Sequence, residues 1–82
     1  LDQGDLLRAE RCLNNASEHY IKLGNEPAEA AVLRLLGTIY QTRQDSTSAL
    51  RCLERVVSLD TRYGLPELKP DSERLMKLKR AQ

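Results

Sequence analysis

Apolar or small residues recur at Leu6, Ala9, Leu13, Ala16, Tyr20 and Leu23, always three or four positions apart. At 3.6 residues per turn this spacing gathers them on one side of a helix, so a helix is predicted from Gly4 to Leu23. The opposite side carries Arg8, Arg11, Asn14, Asn15, Glu18 and Lys22, with Glu18 and Lys22 one turn apart for a favourable ion pair. Gly24 suits a left-handed stop. Asn25 and Pro27 then mark a new start, because Asn caps free amides and Pro is tolerated in the first turn.

The second predicted helix, Pro27 to Arg43, carries one stripe at Ala30, Leu33, Leu36, Gly37 and Tyr40 and an offset stripe at Val32, Leu35 and Ile39. Apolar contact on both sides predicts a helix sandwiched between neighbours. Gly37 costs about 1 kcal/mol in a helix interior relative to Ala. Its place on the stripe predicts a close crossing at which Gly37→Ala overpacks. Asp45 and Ser46 mark a turn and an N-cap. A third helix over Thr47 to Asp60 is predicted from Ala49, Leu53 and Val56, flanked by Leu50 and Val57. Thr61 to Lys69, with Gly64 and Pro66, reads as a loop, and Pro70 opens a last helix that runs to the end of the chain.

The pattern repeats at an offset of 40 residues. Asp5, Ala9, Arg11, Cys12 and Leu13 coincide with Asp45, Ala49, Arg51, Cys52 and Leu53, and Ala16 aligns with Val56. Self-similarity at this period predicts stacked helical units, each burying its apolar face on the next. The same offset sets Arg74-Leu75-Met76 on Arg34-Leu35-Leu36, so the last helix stands where the second helix of a following unit belongs. Lys77 replaces Gly37 there, which predicts a terminating helix with a solvated outer side.

Composition narrows the function. An 82-residue chain with 40% hydrophobic and 30% charged residues fits one small helical domain, with no apolar run near the ~20 residues of a membrane span. Two cysteines at equivalent helical positions do not form a secreted disulfide framework, so a reducing intracellular setting, cytoplasm or nucleus, is expected. Residues 1–63 hold eight Lys/Arg against nine Asp/Glu, whereas residues 64–82 hold five against three. This mildly basic end lacks stacking aromatics and a continuous basic face, which argues against nucleic acid.

The segment from Ala30 to Tyr63 resembles a tetratricopeptide repeat. Leu33, Leu36-Gly37 and Tyr40 in one helix, then Ala49, Leu53 and Val56 in the next, fall at that family's signature spacing. The longer connection through Leu23-Gly24-Asn25 and Glu29-Ala30 is similar to the roughly 40-residue variety of spindle-orientation adaptors and kinesin light chains. Gln44 departs from the usual inter-helix glycine, and Thr61 stands at a frequent proline position. The resemblance implies an all-α right-handed superhelix segment: residues 4–23 as the second helix of a preceding repeat, 27–60 as one complete hairpin, 61–69 as a loop and 70–82 as a terminal helix. It further implies a non-catalytic scaffold that holds a peptide or helix of a partner protein on the first helix of each repeat. That face would be Arg34, Thr38, Gln41 and Thr42. The subgroup that clamps a C-terminal carboxylate resembles a Lys and Asn pair one turn apart. Arg34 and Thr38 occupy those positions, so chaperone-tail specificity is not expected.

No catalytic or metal constellation competes. His19 stands seven residues from Cys12, about 10.5 Å along a helix, too far for a nucleophile and its base. The two cysteines and one histidine lack ligand-pair spacing, and no cofactor is expected. Cys12 and Cys52 read as small packing residues. The competing function is structural, a segment that caps or joins an array or self-associates. Since no partner helix precedes residue 4, the stripe of Leu6, Leu13 and Tyr20 is expected to be partly uncovered, an edge for a second copy or a partner.

Overall fold

The computed structural model describes residues 3–81, with helices α1 (Gln3–Leu23), α2 (Glu26–Thr42), α3 (Ser46–Tyr63) and α4 (Leu68–Arg80). Each helix packs on the one before it, and α2 and α4 meet only through long side chains. The result is a slab of 35 × 33 × 17 Å, about two helices thick.

Caps explain the boundaries. Gly24 at φ 71° ends α1, with Asn25 N–H bonded to Tyr20 O at 2.9 Å. Asn25 Oδ1 accepts from Ala28 N at 3.3 Å, and Asp45 accepts from both the backbone N–H and the hydroxyl of Ser48. Each such cap stabilises its helix by about 1 kcal/mol. Gln44 adopts the left-handed conformation at φ 61° in place of glycine, and the Asp45 N–H still reaches Tyr40 O at 2.8 Å.

Two boundaries differ from the sequence expectation. α3 continues past Asp60 to Tyr63, because Thr61, unlike proline, keeps its N–H and folds its hydroxyl back onto Val57 O. Gly64 at φ 61° supplies the stop instead. α4 begins at Leu68, two residues before Pro70. In the first turn no backbone partner is required of the N–H that proline lacks.

The core lies between α2 and its neighbours. Val32, Leu36 and Cys52 are buried with Leu13, Ala16, Tyr20, Leu33 and Tyr40 packed around them. Ala49, Leu53 and Leu78 form a second cluster joined by Leu50 and Leu75, and Tyr40 touches both clusters. At the far end of the hairpin Arg55 bonds to Glu29 and Glu26, and Arg62 and Tyr63 bond to Glu26. The Tyr63 hydroxyl first, then Arg62, hold the Glu26 carboxyl below its ordinary pKa.

Three expectations are corrected. Leu35 is 57% exposed, so only Val32 and Ile39 of the offset stripe pack inward. Leu6 is buried, whereas Leu13 and Tyr20 pack on the core and stay half-buried, so part of that stripe remains accessible. Cys12, His19 and Leu23 of α1 are exposed, so Cys12 is not a packing residue whereas Cys52 is. At Gly37 an added Cβ would lie 3.5 Å from Leu53 Cδ2, an ordinary contact, so the crossing exists without the predicted overpacking.

Candidate functional site

The polar side of α2 divides into two parts. Ala31, Leu35, Thr38 and Thr42, spaced by three or four residues, form an exposed stripe along one edge. Arg34 and Gln41 lie beside it, toward α4. The Thr42 hydroxyl donates to Thr38 O at 2.9 Å and the Thr38 hydroxyl to Arg34 O at 3.2 Å.

Arg34, the first of the predicted contact residues, points inward. Its Nε donates to Asp71 Oδ2 at 2.6 Å and its Nη2 to Asp60 Oδ1 at 2.5 Å, with Glu67 Oε1 at 3.8 Å. Its side chain is 18% exposed, and Asp60 and Asp71 are buried. One guanidinium therefore joins α2, α3 and α4. Burial works against its charge, but the bonds to Asp71 and Asp60 outweigh it and hold the guanidinium more firmly protonated.

The two carboxyls around it are not equivalent. Asp60 Oδ2 is buried with no hydrogen-bond partner while the group is charged. Burial, reinforced by Asp71 and opposed by Arg34, pushes its pKa up to about 6. Protonation would turn the carboxylate into a hydrogen-bond donor beside Asp71.

Gln41 and Thr38 are bounded by α4. Arg74 Nη2 donates to Gln41 Oε1 at 2.8 Å and to Thr38 Oγ1 at 3.2 Å. Thus Thr38, Gln41 and Thr42 share an accessible face whose wall is Arg74, and Arg34 lies beneath it. Sequence reasoning missed Leu35, Arg74 and the acids. Asp60 was signalled by its place on the Ala49/Leu53/Val56 stripe, since an acid there must be paired. Arg74 was signalled only as the repeat equivalent of Arg34.

Among the described residues no group of three His, Cys, Asp or Glu side chains is placed to hold a metal. Two shallow depressions lie elsewhere, one along α1 by Leu7, Arg11 and Asn14, the other along α4 by Glu73, Met76, Lys77 and Arg80. No described helix is long and apolar enough to cross a membrane.

Helical hairpins stacked through a close-packed glycine and a 40-residue sequence period define a helical-repeat protein. The profile of the tetratricopeptide repeat family matches residues 1–62, and the chain belongs to that family. Its repeats generally mediate protein–protein interaction. Comparison with curated proteins and with solved structures gave no match.

Proposed function

We propose that the chain is a non-catalytic scaffold segment that binds a peptide or helix of a partner protein on the exposed side of α2, in a reducing intracellular compartment. The observation that carries this reading is the exposed stripe Ala31, Leu35, Thr38 and Thr42, with Gln41 and Arg74 as polar edges. A large apolar residue 57% exposed among small and hydroxylated ones suits an anchor pocketed by a partner. Arg34 contributes by fixing the wall, as a positioning residue.

The test is capture of partners by the chain, comparing Leu35→Glu and Thr38→Glu with Glu54→Gln on α3. Loss of the same captured proteins with both α2 variants, and retention with the control, supports the face. Retention throughout moves the interface elsewhere. Arg34→Glu is unsuitable, because it also breaks the contact between α2 and α4.

A second reading, that the segment terminates or joins an array, draws support from the polar outer face of α4. Self-association through α1 would use the exposed Cys12, His19 and Leu23 together with the accessible parts of Leu13 and Tyr20, since Leu6 is buried.

A further inference from the structure

Three acids converge on one guanidinium where α2, α3 and α4 meet. Asp60 and Asp71 bond to Arg34 at 2.5 and 2.6 Å, and Glu67, just ahead of α4, lies 3.8 Å from it, so with every carboxyl ionised the negative charge exceeds what Arg34 offsets. Glu67 is half-exposed and screened by water. Asp60 and Asp71 are buried, and Asp60 Oδ2 has no hydrogen-bond partner. Arg62 and Tyr63, on the same end of α3, are engaged by Glu26, and Arg74, one turn along α4 from Asp71, donates to Gln41 and Thr38. α1 packs on α2 alone and brings no group to the cluster. A proton on Asp60 removes one of the excess charges and makes the orphaned carboxyl a donor beside Asp71.

The same cluster ties α4 to α2. The two backbones do not touch; Leu75 and Leu78 hold α4 against Ala49 and Leu53 of α3, and Asp71, two turns before Leu78, is its other buried residue. The three helices bury the cluster by themselves.

We propose that Asp60 is a proton-operated latch: neutral, it holds the first half of α4 against α2 and α3 through Arg34 and Asp71, and ionised, it lets that half swing away and take Arg74 from Gln41 and Thr38. The latch acts on helix spacing alone, whether or not a partner occupies the α2 face. Burial, helped by Asp71 and opposed by Arg34, raises the Asp60 pKa in the closed form to about 6. Closing is therefore favoured fully below the ordinary aspartate value near 3.9, and the advantage is lost as pH rises through about 6. From pH 5 to pH 7 the closing equilibrium weakens about tenfold.

Native-state hydrogen exchange of the chain, corrected for the intrinsic rate at each pH, tests the latch. The amides of Glu73, Arg74 and Leu75 should exchange through a local opening that low urea does not change, with protection falling about tenfold from pH 5 to pH 7. Locally opening amides of α1 should keep theirs. In Asp60→Asn the α4 protection should be indifferent to pH, and Asp71→Asn should lower the midpoint at which the Asp60 carboxyl carbon resonance titrates. Histidine is the other side chain that changes charge in this range. His19→Gln, which removes the one imidazole of the chain, should keep the whole response. The latch is overturned by α4 amides that exchange only with global unfolding, by protection indifferent to pH in the wild type, by a fall retained in Asp60→Asn or lost in His19→Gln, or by an Asp60 midpoint that Asp71→Asn leaves unmoved.

Discussion

Arg34 and Asp71 are 37 residues apart, on helices whose backbones do not touch, yet Arg34 Nε donates to Asp71 Oδ2 at 2.6 Å. This bond, together with Arg34 to Asp60, sets where α4 lies against the α2 face. Removing one member of a buried ion cluster leaves the others uncompensated, which costs about 3 kcal/mol or more. Arg34→Ala should therefore lower the unfolding free energy obtained from urea denaturation by about 3 kcal/mol. Adding Asp60→Asn should recover part of the loss, because it removes one stranded charge. Independent, additive effects in the double-mutant cycle would show that the three groups do not act as a unit.

Asp60 makes the cluster respond to pH. Its folded pKa of about 6 exceeds the ordinary aspartate value near 3.9, so between these values the folded state binds the proton more readily. The stability contributed by this group is full below about pH 4 and is lost as pH rises through about 6. Glu26 and Asp45, whose pKa values are lowered, work in the opposite sense as pH falls. The comparison with Asp60→Asn isolates the effect: wild type should gain stability relative to the variant on going from pH 7 to pH 5. A constant difference over that range would mean that Asp60 titrates normally.

Gly37 is expected to tolerate a methyl group. Its added Cβ meets Leu53 side-chain atoms at 3.5 and 3.6 Å, ordinary contact distances. Gly37→Ala should then express its helix propensity and stabilise the domain by about 0.5–1 kcal/mol. A lower melting temperature would restore the overpacking argument.

Gln44 holds a positive φ that L-residues adopt at a cost of about 1–2 kcal/mol, and its side chain is exposed. Gln44→Gly should stabilise by up to about 1 kcal/mol after the added flexibility of glycine in the unfolded chain is subtracted. Thermal unfolding reads this as a rise of a few degrees; no rise would indicate that Gln44 makes a compensating contact.

Cys12 and Cys52 coincide in the repeat but should differ in reactivity. Cys52 is buried, and that burial raises its thiol pKa, whereas Cys12 is exposed. Iodoacetamide should label Cys12 first, with Cys52 reacting on unfolding, as peptide mass mapping would show. Equal labelling of the native protein would imply frequent opening of the α2–α3 hairpin.

What sequence patterns reveal is local periodicity. The stripe of Leu6, Leu13 and Tyr20 and that of Ala49, Leu53 and Val56 each mark an inward face, because a helix with one apolar side must bury it. Gly24, Asn25 and Asp45 mark ends because free backbone amides and a left-handed turn restrict residue choice. The all-α repeat architecture followed from these signals and the offset between Cys12 and Cys52.

Periodicity does not tell which neighbour covers a face, and there the tertiary structure decided. Leu35 shares a spacing with Val32 and Ile39 yet is exposed, because neither α1 nor α3, the helices packed on α2, covers its sector. Arg34 reads as a surface cation until Asp60 and Asp71, brought together from two other helices, make it an interior one. The candidate stripe on α2 was thus legible at Thr38, Gln41 and Thr42. Leu35 as its apolar centre, and Arg34 as the residue that fixes its wall, depend on contacts 26 and 37 residues apart, which no local pattern encodes.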